Sequence, residues 1–183
     1  SIDSILGGTG TVTGNVTLNA AGQAISPGVN EGRLTVDGDV AFDNTGDFDV
    51  DLMGTTAGTN HDQLQVDGAG RTISLASAEL DINLGAFTPT VNDTFTIINV
   101  TNAGVSVTGI FTVDILGTPF NLPEGEGFLL GTQVFTISYQ GGTGNDVVLT
   151  AHGTAETLVR LANPGVDDDL EIVDINNTSN DTL

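Results

Sequence analysis

Arg33 to Leu52, RLTVDGDVAFDNTGDFDVDL, decides the fold, because later stretches repeat its spacing. It holds three short runs of period two: Leu34 and Val36, then Val40 and Phe42, then Phe48, Val50 and Leu52. A second pass gives Leu64 and Val66, Ile73 and Leu75, then Leu80, Ile82 and Leu84. A third gives Phe95 and Ile97, Val105 and Val107, then Phe111, Val113 and Ile115. A shortened fourth follows with Phe135, Ile137 and Tyr139, then Val147 and Leu149. Period two marks a strand with one buried face, and three strands recurring every roughly thirty residues mark one rung of a solenoid. The expected fold is therefore all-β, a solenoid of about four to five three-strand rungs. Val16 and Leu18 are expected as the third strand of a preceding rung.

The rival is an antiparallel β-sandwich. Asp37-Gly38 between alternating apolar runs is a strong signal for a two-residue hairpin. The solenoid is preferred because the spacing recurs while the turn chemistry does not. The corresponding corners are Asp67-Gly68-Ala69-Gly70 and Asn99 to Gly104. The break from Leu116 to Gln133, with Pro119 and Pro123, is expected as a long loop. Residues 1–151 are assigned to the repeat region, and 152–183 to a junction and the start of a following β module.

Composition narrows the function. The 183 residues are 38% hydrophobic but only 5% aromatic, without Trp, so the core must be built from Val, Ile, Leu and Thr. Twenty-four acids face three Arg and no Lys, a net charge of −21. No basic surface can be assembled from Arg33, Arg71 and Arg160, which excludes nucleic acid and anionic membrane as partners. A chain so acidic repels itself and suits a medium rich in salt or divalent cations. Absence of Cys excludes disulfides and thiolate chemistry, and absence of Lys excludes Lys-Asn isopeptide bonds.

Two acidic motifs are candidate calcium sites. Gly141-Gly142-Thr143-Gly144-Asn145-Asp146-Val147-Val148-Leu149 fits the nonapeptide GGxGxDxUx, in which glycines turn carbonyls toward an ion shared between tandem turns. Only one copy is present, so Asn145 and Asp146 are its candidate ligands and a plain turn before a closing strand is the competing reading. Asp47, Asp49 and Asp51 alternate with inward Phe48, Val50 and Leu52. They leave one face roughly 6.6 Å apart, with Asp81 and Asp114 on the equivalent strands about 4.8 Å per step away. Divalent cations could bridge such a ladder, and solvent with offset registers could also relieve it. No cofactor is required by the sequence, and calcium is the one it offers.

Catalysis has little support. Polysaccharide-cleaving β-helices use clustered acids, for which Asp49, Asp51 and Asp81 qualify. A uronate substrate also needs cations, and Arg71 is alone in mid-array. His61 and His152 are the only histidines, and no GxSxG or HExxH occurs. His61 reads as a turn residue at the start of a strand. The expected protein is not an enzyme.

Several phrases carry a family resemblance: Leu6 to Val12, Ser26-Pro27-Gly28, His61-Asp62-Gln63-Leu64, Asp93 to Ile98, Leu122-Pro123-Glu124-Gly125 and Phe135 to Thr150. In this order they resemble the autotransporter-associated β-strand repeat regions of large bacterial surface and secreted proteins, over about Leu6 to Ala151. That resemblance implies a right-handed parallel β-helix in an exported, adhesin-like protein, serving as an extracellular spacer or in matrix or filament assembly. The implied partners are neighbouring modules of the same long chain or copies of itself end to end, with glycans or the cell envelope beyond them.

Overall fold

The computed structural model describes residues 4–102, 106–115 and 117–154, and the strand pair at 158–159 and 172–173. The protein is all-β, with no helix among the described residues. In chain order the strands are β1 (Ser4–Gly8), β2 (Gly10–Thr13), β3 (Val16–Thr17), β4 (Gln23–Pro27), β5 (Arg33–Asp37), β6 (Val40–Ala41), β7 (Gly46–Asp51), β8 (Gln63–Asp67) and β9 (Thr72–Ser74). They continue as β10 (Glu79–Asn83), β11 (Thr94–Val100), β12 (Ser106–Thr108), β13 (Phe111–Ile115), β14 (Thr118–Leu122), β15 (Gly127–Leu130), β16 (Gln133–Gly141) and β17 (Asp146–Thr154). β18 (Leu158–Val159) and β19 (Ile172–Val173) pair only with each other.

Three sheets take strands in rotation. The first runs β1-β4-β7-β10-β13-β14, the second β15-β16-β17-β11-β8-β5-β2 and the third β12-β9-β6-β3. From β1 to β13, each strand pairs in parallel with the strand three places on. Register keeps apolar on apolar: Leu34 opposes Leu64, Val36 opposes Val66, Val40 opposes Ile73, and Phe48 and Val50 oppose Leu80 and Ile82. A slip of one residue would turn each of these side chains to solvent, which is why the pairing is so strongly specified. The inward residues of all three sheets pack into one core in which Phe48, Phe95, Phe111 and Phe135 are fully buried. Rings of Phe48 and Phe111 stack at 5.7 Å, with Phe42 edge-on to both.

The Asp37-Gly38 corner joins strands of two different sheets, not a hairpin. Gly38 lies against the Gly14 carbonyl of the preceding turn, so a Cβ there would strike backbone. A hairpin needs both flanking strands in one sheet, and here the close stacking of corners takes the place of the turn.

Four expectations are corrected. Val16 opposes Val40, so this stretch is a second-position edge strand of the third sheet and not the third strand of a rung; the first turns are shorter than the later ones. In the third pass Leu64 and Val66 oppose Ile98 and Val100, not Phe95 and Ile97: β11 begins ahead of β8, and β17 lies along its other edge. Likewise Glu79 opposes Thr112, two residues away from the expected match of Leu80 with Phe111. Val105 lies outside the described residues. The fourth pass is antiparallel: β16 pairs with β17, β17 with β11 and β15 with β16. The Leu116 to Gln133 break folds as β14 and β15 rather than as a loop, β14 returning antiparallel on β13. Two of the three sheets are therefore mixed. β17 runs through His152 to Thr154, and the side chains of 155–183, over which most of the expected junction and following module fall, lie outside the described residues.

Candidate functional site

The alternation of β7 buries Phe48 and Val50 and sends Asp47, Asp49 and Asp51 outward. Register then sets Asp47 opposite Glu79, Asp49 opposite Asp81 and Asp51 opposite Asn83. Like charges directly across a strand pair are destabilising. The Asp49 carboxyl is pushed up to about 6 by its partial burial, then by Asp81 and by Asp47, Asp51 and Glu79. Asp47 is raised by burial and Asp81, and Glu79 by burial and by Asp47, Asp114 and Asp81. The third pair is relieved, since Asn83 Nδ2 donates to Asp51 Oδ1 at 2.7 Å. Asp47, Glu79 and Asp114 border a shallow groove of about 330 Å³ with Asn44, Ser77 and Pro119, and no aromatic ring lines it. Arg71 is engaged elsewhere, on Asp37 of β5 at 3.3 Å.

The nonapeptide stretch makes the hairpin turn between β16 and β17. Gly141 accepts from the amides of Gly144 (2.8 Å) and Asn145 (3.2 Å), and Gly142 takes a φ of 55°. The Asp146 carboxylate is buried and accepts from the Val100 amide at 2.8 Å, tying the turn to the end of β11. Asn145 accepts from Thr143 Oγ1 at 2.7 Å and donates to the Asn102 carbonyl at 3.4 Å. Asp146 thus opens β17 of the second sheet, with Asn145 in the turn before it, whereas Asp47, Asp49 and Asp51 lie on β7 of the first. The structure does not bring the five candidate ligands together. Among the described residues no three acidic or histidine side chains converge on a common point suited to a metal ion.

The most deeply placed polar cluster is His61-Asp62-Gln63, each at most 2% exposed. His61 closes the turn that leads into β8, and its side chain is buried. Its Nδ1 donates to the Gly54 carbonyl at 3.0 Å, and its ring meets Phe95 edge-on at 5.4 Å. A carbonyl only accepts, so Nδ1 carries the proton; burial lowers the affinity of the ring for a second. Asp62 accepts from the Gly32 amide through Oδ1 (2.7 Å) and from the Asp51 amide through Oδ2 (2.9 Å). Gln63 Nε2 donates to the Thr96 carbonyl at 2.9 Å. The three side chains join the approach to β5, the end of β7 and the bulge of β11. Three polar residues directly ahead of a strand look like loop; the signal that could have found them is that no Gly or Pro separates them from Leu64.

Compared with known proteins, the chain matches no family model, no curated protein and no solved structure.

Proposed function

We propose that the chain is a structural segment of a secreted or surface-anchored bacterial protein, folded as a right-handed parallel β-helix and serving as a rigid spacer. The observation that carries this reading is the rotation of strands through three sheets with apolar residues in lateral register from β4 to β10. Such an array transmits load along stacked backbone ladders and leaves its outer faces free to vary. The ordinary chirality of parallel crossovers favours the right hand. Resemblance to autotransporter-associated β-strand repeats, with the absence of a basic surface, supports an extracellular place. Catalysis is not part of the proposal: the acid-lined groove offers neither an aromatic platform nor a cation for a sugar. An antibody against the chain should label intact cells of the organism that makes it. Labelling only after permeabilisation would overturn the reading.

A second reading is favoured by one observation, the direct opposition of Asp49 and Asp81. A divalent cation on this face would relieve their repulsion, making the segment a calcium-responsive module. Calcium should then raise the melting temperature more than sodium at matched ionic strength, and the excess should vanish in Asp81→Asn. Equal effects of the two salts would reduce the face to ordinary screening.

A further inference from the structure

β8 and β11 pair in parallel only from Leu64 and Ile98 onward. Just ahead of that ladder β11 carries the irregularity between Thr96 and Ile98, and side chains leading into β8 take the place of backbone partners. Gln63 Nε2 donates to the Thr96 carbonyl at 2.9 Å. The His61 ring rests on Phe95, with the same Thr96 carbonyl beside it. Both side chains are sealed from solvent.

Each uses one end of its polar group on the backbone and leaves the other over. His61 carries its proton on Nδ1, for the Gly54 carbonyl, so Nε2 keeps a lone pair. Gln63 turns its amide nitrogen to Thr96, so Oε1 remains as an acceptor. Among the described residues no group donates to either atom. Rearrangement does not relieve them. Exchanging the ends of the Gln63 amide would set oxygen against the Thr96 carbonyl, and moving the His61 proton to Nε2 would leave a lone pair against the carbonyl of Gly54. Buried polar atoms in folded proteins nearly always find a partner. What is wanting here is donors alone, two of them, at one place.

Water is the smallest species that supplies two donors. Positions two apart along extended chain stand about 6.6 Å from one another, and a water spans about 5–6 Å between two acceptors. A bare cation fits less well. It would exchange its hydration shell for neutral groups, because the Asp62 carboxylate is already taken by the amides of Gly32 and Asp51.

We infer that one internal water is bound between His61 Nε2 and Gln63 Oε1, donating to both, as a fixed part of the junction between the Gly54 loop, β8 and β11. It concerns the packing of β8 on β11 alone and does not depend on the spacer reading.

Nitrogen-15 and water-selective proton NMR of the whole chain test it, with His152→Gln to assign the signals of the two histidines. The expected result is a proton on His61 Nδ1, an Nε2 shifted as a hydrogen-bonded imine, and a cross-peak from His61 Hε1 to a water that tumbles with the protein. Gln63→Met keeps the length of the side chain and removes Oε1; the cross-peak should then be lost while the dispersed amide spectrum persists. A proton on Nε2, bonded directly to Thr96, would overturn the inference. So would the absence of a bound-water cross-peak in the parent, or one that is unchanged in Gln63→Met. The parent spectra decide the first two points whether or not the variant folds.

Discussion

Asp62 is the residue on which two turns of the chain depend. Its carboxylate satisfies the amides of Gly32, which is buried, and of Asp51, which is half-buried. A buried donor left without an acceptor costs about 1–3 kcal/mol. Asp62→Ala orphans two donors and should lower stability by about 2–5 kcal/mol, whereas Asp62→Asn keeps one acceptor and should lose roughly half as much. Denaturant unfolding of the two variants against the parent checks the ratio. If Asn and Ala cost the same, the carboxylate is not bridging. Asp62 is held up at about 6, by burial first, against the two amide bonds that pull it down. At neutral pH it is thus a charge retained in a dry place for the backbone it serves.

At the scale of elements, the terminal hairpin is pinned by Tyr139. Its hydroxyl donates to the Leu122 carbonyl of β14 at 2.7 Å and accepts from the Phe111 amide of β13 at 2.9 Å. Glu124 closes the same junction, accepting from Ser138 Oγ (2.7 Å) and the Tyr139 amide (2.6 Å). Tyr139→Phe keeps the ring and removes both hydroxyl bonds, and should cost about 1–3 kcal/mol in chemical denaturation. Amide exchange at Phe111 should accelerate with it; unchanged protection there would sink the idea. The hairpin also marks where the sequence stops being legible. Period two reports which face of a strand is buried, and it identified the inward sets of β5 to β10 and their mutual register. It is blind to strand direction, so Phe135, Ile137 and Tyr139 look like another parallel pass although they run back. Register was lost at β11 for a related reason: Thr94–Val100 offers apolar residues at both parities, so period two alone does not say which set stands beside Leu64 and Val66. The acidic face was legible from Asp47, Asp49 and Asp51, but which acid stands opposite which was set by the turn lengths between β7 and β10. His61-Asp62-Gln63 was not legible as core, since polar triplets are buried only when backbone groups from distant strands meet them.

The whole molecule answers to pH through these groups. Asp47, Asp49, Asp62 and Glu79 all bind protons more readily when folded than in the unfolded chain, Asp49 and Asp62 at about 6 against 3.8. The stability they contribute is complete below the unfolded value and is lost as pH rises through the folded one. His61 works in the opposite sense: lowered by burial, it costs stability as pH falls below its unfolded value of 6.5. Four carboxyls outweigh one imidazole, and the melting temperature should climb as pH falls from 7 towards 5. Thermal scans at fixed ionic strength across that window check it, and a steady decline from pH 7 downward would refute it.

The uncharged run from Ser4 to Asn30 also makes the molecule electrically lopsided. Among the described residues, the β1–β3 end carries no charge and the flank bears the carboxylates of β7 and β10. Beside an anionic wall, lying flat would bring that flank within a Debye length of about 8–10 Å, while standing on the neutral pole would keep it clear. Orientation is thereby written into the distribution of charge: near a negatively charged surface, the protein stands on its neutral end.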